Sequence, residues 1–163
     1  MGGCGMNQDG MSVIVRTVTR FIYGLILVFG FYVIMHGHLT PGGGFQGGAV
    51  VASAFALLLV ALGTAGVKGH LNKHLLQSLE EVGALAFLGL AFAGIGTAFF
   101  YNLLANTGGA FFGVGVAAGP NAGVLNTGGL VPLMNWAVGL KVMTGIACIV
   151  IVMLVGARKE GVE

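Results

Sequence analysis

Apolar residues run almost unbroken through four stretches of the chain, about residues 13–35, 46–67, 82–104 and 133–157, with polar residues collected between them. Each stretch reaches or exceeds the roughly 20 residues that a helix needs to cross a bilayer. None shows the charged face that a helix of a soluble bundle keeps toward water. The pattern predicts an all-α integral membrane protein with four transmembrane helices. Arg16 and Arg20 precede the first run as they would in a signal peptide. That run continues to Met35 without a small-residue cleavage pattern, so it reads as a retained span.

Composition agrees: 56% of the 163 residues are hydrophobic and 7% are charged, against about 25% charged in a soluble domain. The expected organisation is a tail at 1–12, a membrane domain at 13–157 and a second tail at 158–163. Basic residues favour the cytoplasmic side. Arg16 and Arg20, then Lys68 and Lys73, then Arg158 and Lys159 fall in alternate segments, which with four spans share one face. Both termini are therefore expected in the cytoplasm. The opposite connections, 36–45 and 105–132, hold no Lys, Arg, Asp or Glu. Cys4 and Cys148 stand too far apart in character to pair, and no CxxC pattern offers a metal site. Met1 to Met6 resembles a myristoylation start but has Met6 where Ser or Thr is needed.

Between the first two runs lies His36-Gly-His38-Leu-Thr40-Pro41-Gly42-Gly43-Gly44-Phe-Gln46-Gly47-Gly48. Pro41 ends the preceding helix, and the consecutive glycines permit positive φ and close approach of other backbone. A glycine loop before a helix can cradle phosphate, but the Lys-Ser/Thr of a P-loop is missing and the turn falls on the outer face. Nucleotide binding is rejected. Two readings stay open: close packing of helices, or backbone lining of a cation or proton path. His36 and His38 could pass protons or sit as a hydrogen-bonded interfacial pair, whereas H-x-H without a third ligand is weak support for a metal. The 105–132 connection is apolar and glycine-rich, with Asn106-Thr-Gly-Gly109 echoed at Asn126-Thr-Gly-Gly129. A segment folded back against protein is expected there. Gly89, Gly94, Gly96, Gly139 and Gly145 suggest close helix packing.

Lys141 is the one basic residue that escapes the sidedness rule. It falls about eight residues inside the fourth run, roughly 12 Å below its outer end. It either snorkels to the headgroups or is buried and functional, and the second is the expectation. Of the five acids, Asp9, Glu80, Glu81, Glu160 and Glu163, none is well placed to neutralise it. A buried, charged Lys141 then needs a carboxylate of another chain, backbone carbonyls or water. Glu80 and Glu81 are expected to open the third span as cap-like carboxylates, with an ion-relay role for Glu80 as the sharper alternative.

Together, the His36–Gly48 stretch, Glu80-x-x-Gly83, and Asn135 followed by Gly139-Leu-Lys-Val142 resemble the B subunit of Mrp-type multisubunit Na+/H+ antiporters, the MnhB family. The resemblance extends from about Arg16 into the fourth run; at Asn126–Gly129 the chain departs from the Ser-Ala-Gly-like pattern of that family. It implies a non-catalytic, cofactor-free, multi-pass subunit of a prokaryotic cell membrane. Its partners would be other small subunits and large antiporter-like subunits, with Na+ and H+ as transported ions and no nucleic acid. The resemblance extends to subunits that look to be built into archaeal membrane-bound hydrogenase and sulfur-reducing complexes. Lys141, Glu80, His36, His38 and Thr40 become ion-path candidates, and Pro41, Gly42, Gly43, Gly44, Gln46, Gly47 and Gly48 a structural turn. A purely structural adaptor shares this fold and these partners. An autonomous transporter is disfavoured, because one intramembrane lysine without an acid completes no proton relay.

Overall fold

A computed structural model describes residues 11–67, 73–93, 98–105, 107–108, 111–115 and 123–160. Cys4, Asp9, Lys68, Gly94, Gly96 and Glu163 lie outside the described residues. Four helices, α1 (Val13–Met35), α2 (Gly44–Val67), α3 (Lys73–Phe92) and α4 (Val131–Glu160), make up the regular structure, with no strand among the described residues. All four are long and apolar enough to cross a membrane. Ser12 opens α1 by accepting a 3.5 Å hydrogen bond from the Val15 amide. Gly63, at φ 70° and ψ 171°, breaks α2 near its end, so its span is Gly44–Gly63.

The third helix departs most from expectation. It begins at Lys73, nine residues before position 82, and ends at Phe92 instead of running to 104. Glu80 and Glu81 therefore lie two turns inside it, and its first turn contains no acid. A helix-dipole role, which fades within the first turn, does not apply to them. At the other end the Phe100 amide donates to the Ala91 carbonyl at 3.1 Å, folding the chain back over the helix. Phe92, Phe99 and Phe100 stack edge to face there, with centroids 5.2 and 4.7 Å apart. Phe99 and Phe100 thus cap α3, and residues 99–104 are not further helix.

The helices form an open row and not a closed bundle. α1 packs on α2, α2 on α4 and α4 on α3, with a smaller contact between α1 and α4; among the described residues α3 touches neither α1 nor α2. Burial follows this order, with 39% of the α2 span buried against 11% of the α3 span. The core consists mostly of small side chains, including Val51, Ala52, Ala54 and Ala61 of α2 with Ala137 and Ala147 of α4. Lipid tails are as apolar as leucine, so helices in a bilayer associate by such close packing. Gly30 and Gly47 let α1 and α2 meet: a Cβ on Gly47 would lie 2.9 Å from both the Gly30 oxygen and the Ile34 nitrogen. Gly89 faces open space, so its expected packing role is not realised.

Candidate functional site

The turn is built from α1 outward. After Met35 the chain makes one further turn, with the amides of Leu39 and Thr40 donating to the His36 carbonyl at 2.8 and 3.1 Å. The Thr40 hydroxyl donates to the same oxygen at 3.2 Å, which engages its polar group locally. Pro41 ends this turn. Gly42 (φ 149°) and Gly43 (φ 123°) then adopt backbone that favours glycine and reverse the chain into α2.

What lies over the turn is the beginning of α4. The Asn135 side chain sits between Gly37 and Gly43, its nitrogen 2.8 Å from where a Gly37 Cβ would stand. Gly44 lies directly beneath the Asn135 carbonyl oxygen, and Gly48 packs where a Cβ would meet the Gly139 oxygen at 2.8 Å. Gly43, Gly44, Gly47 and Gly48 are all buried, while Pro41, Phe45 and Gln46 are exposed. The glycines therefore bring two helix backbones into contact. The side-chain Nδ2 of Asn135 is buried there without a hydrogen-bond partner.

The two histidines diverge. His36 Nδ1–H donates to the Tyr32 carbonyl at 3.1 Å, and its ring stacks on Tyr32 with centroids 4.1 Å apart. His38 turns to the long connection, donating from Nε2 to the Leu125 carbonyl at 3.1 Å and meeting the edge of Phe112. Its Nδ1 is buried and unpartnered. Burial, with a smaller push from His36, holds the His38 pKa below its ordinary value, against the opposing Leu125 hydrogen bond. Each histidine thus serves a different carbonyl, and the pair does not form one site.

Asn102 and Asn126 organise the described parts of the connection, roles that no motif in the sequence marks. Asn126 accepts from the Phe112 amide through its side chain and from the Val114 amide through its carbonyl. Asn102 donates to the Gly128 carbonyl at 3.0 Å and accepts from the Leu130 amide at 2.8 Å. Short polar side chains serving distant backbone leave no periodic signal in sequence. Phe100, Phe111 and Phe112 all adopt positive φ between 62° and 67°, uncommon for aromatic residues.

A pH prediction arises here. Neutral His38 fits its surroundings, but a proton on Nδ1 would be buried without an acceptor. A depressed pKa means that the docked state resists protonation, so its stability is complete above about 6.5 and is lost as pH falls through the lower folded value. After correction for intrinsic rates, amide exchange at Val114 and Gly129 should accelerate severalfold between pH 7.5 and 5. His38→Gln should abolish that dependence, and exchange unchanged with pH in the parent chain would refute it.

Lys141 and Glu80 both belong to the α3–α4 seam. α4 starts at Val131, so Lys141 lies ten residues into the Val131–Leu154 span. At 1.5 Å per residue this is about 15 Å, deeper than expected and close to the middle of a roughly 30 Å hydrocarbon core. Gly83 presses on its base, where a Cβ would lie 2.9 Å from the Lys141 backbone nitrogen and 3.1 Å from its Cβ. The side chain nevertheless emerges exposed and not enclosed among the four helices. One turn further along α4, the half-buried Glu80 lies over Gly145, its Oε1 3.2 Å from the Gly145 Cβ position. A lysine at the centre of a spanning helix costs on the order of 3 kcal/mol on insertion scales. The structure thus brings Glu80 and Lys141 onto one seam and leaves the His36–Gly48 turn at the start of α4.

Residues 14–148 match the model of a domain related to the MnhB subunit of Na+/H+ antiporter. An uncharacterized protein of Methanocaldococcus jannaschii is 38% identical over 125 residues, covering 76% of this chain and 45% of that protein. A Staphylococcus aureus protein named as antiporter subunit mnhB2 is 50% identical over 50 residues, 31% of this chain and 36% of its own. Among solved structures, a chain of the membrane-bound sulfane sulfur reductase, an archaeal respiratory membrane complex, superposes with a TM-score of 0.68 at 29% identity. That match covers 90% of this chain and 60% of the other. The chain spans less than half the length of the curated relatives it matches.

Proposed function

The chain belongs to the family of domains related to the MnhB subunit of Na+/H+ antiporters, and from that premise we propose that it serves as a non-catalytic subunit of an Mrp-type cation/proton antiporter module. It contributes to the sodium path and to assembly, in a stand-alone antiporter or an energy-converting hydrogenase or sulfur-reducing complex of a prokaryotic cell membrane. Tails 1–12 and 158–163 lie in the cytoplasm in this reading.

The observation that carries the proposal is Lys141, a cation in mid-span on the same seam as Glu80. Lys141 tunes the path electrostatically, Glu80 lies toward its inner end, and the turn with His36, His38 and Thr40 shapes its outer end. Lys141→Ala in the assembled complex should leave subunit composition unchanged and lower sodium-linked transport severalfold. Normal sodium flux in that variant would sink this reading. Loss of assembly would favour a structural adaptor, a role that the backbone contacts of Gly44 and Gly48 with α4 already support for the turn itself.

A further inference from the structure

Lys141 is a charge on the outside of the row. Its stem lies in the seam beside Gly83 of α3, and the residue is exposed. Below it on α4, Ile149 and Val152 are 58% and 48% exposed. Spacings of eight and eleven residues put them on Lys141's side of the helix. Hydrocarbon tails could cover these two apolar residues, but they cannot neutralise an ammonium group about 15 Å from the span end, a depth greater than its four-carbon stem can reach.

Among the described residues the charge has no ion-pair partner. Glu80 is directed at Gly145 and forms no ion pair with Lys141, and Glu81 is exposed on α3 without one. Asp9, Glu160 and Glu163 lie beyond the ends of the spans. The open row leaves the seam accessible, because α3 has α4 as its one helical neighbour among the described residues.

We infer that the Lys141 face of the α3–α4 seam docks a transmembrane helix of a different subunit that carries an Asp or Glu near its own midpoint. This rests on the reading of the chain as part of a larger complex and names the chemistry of the neighbour. An opposite charge within contact distance satisfies the ammonium, while the small residues Gly83 and Gly145 hold α3 and α4 close enough to form one continuous surface. Ile149 and Val152 become the apolar part of the same contact.

Dicyclohexylcarbodiimide tests this in the complex isolated in mild detergent. The reagent converts an intramembrane carboxyl group to an O-acylisourea; a touching lysine amine attacks its carbonyl carbon, forming an amide, losing a proton to buffer and expelling dicyclohexylurea. Peptide mass spectrometry should find Lys141 joined to an Asp or Glu within an apolar segment of another polypeptide. Lys141→Arg should abolish that product while leaving the complex whole. An amide to Glu80 or Glu81 of this chain would overturn the inference. So would no Lys141 amide when others form, or acylation of Lys141 by a water-soluble reagent in the intact complex. Cross-linking does not depend on ion flux. If the cross-link forms while Lys141→Ala transports sodium normally, the sodium-path reading falls and the docking surface stands.

Discussion

Gly44→Ala is expected to unfold the turn end of the protein, costing about 3 kcal/mol, roughly a hundredfold in the folded-to-unfolded ratio. The added methyl would fall on the carbonyl oxygen of Asn135 and within 2.9 Å of the Gly139 nitrogen and 3.0 Å of the Asn135 carbonyl carbon. All three are backbone atoms of α4, so no side chain can rotate aside. Either the turn lifts from α4 or α4 shifts against Ile34, whose side chain already fills the space before Gly139. Both movements break the α2–α4 contact on which the row depends. Gly89→Ala supplies the control: nothing lies within 4 Å of its Cβ position, and alanine in a helix interior gains up to about 1 kcal/mol over glycine. Thermal unfolding in detergent and the amount recovered in membranes should separate the two variants widely. Equal melting of both would show that turn and helix do not touch as described.

The number of spans was legible in the apolar runs, because about 20 apolar residues with few charges have few alternatives to crossing a bilayer. The first helix matches its run at both ends, residues 13–35. The third does not, because hydropathy ranks Phe99 and Phe100 as helix-forming membrane residues although they cap α3 from outside. It also starts seven residues before Glu80, since a helix can begin in polar sequence that no apolar count detects. Lys141 stood out as an intramembrane charge, and Glu80 emerged with it, but their common seam depends on where α3 crosses α4, which is set by contacts between residues distant in the chain, Gly83 with Lys141 and Glu80 with Gly145. The open row had no one-dimensional signal at all. Helices apolar all round fit a closed bundle and a row covered by neighbours equally well.

Asn102→Ala should loosen the start of α4 by about 2–4 kcal/mol, the cost of stranding two partly buried backbone groups. Its carboxamide is used on both sides, accepting from the Leu130 amide and donating to the Gly128 carbonyl 26 residues away. Leu130 is 4% exposed, so water does not readily replace the lost partner of its amide. Asn102→Asp keeps the acceptor but sets a carboxylate oxygen against the Gly128 carbonyl, so it should not restore the parent behaviour. The damage should be local at first. Gly128 packs against the His38 ring and Pro132, so freeing it releases the connection from the turn as well as from α4. Hydrogen exchange would then show lost protection at Leu130, Val131 and Gly129, with the amides of α2 between Val51 and Leu59 unchanged. Full protection of Leu130 in Asn102→Ala would mean that another group serves its amide. Loss of protection throughout α2 would mean that Asn102 supports the whole row, placing the foundation of the fold in the connection and not in the helices.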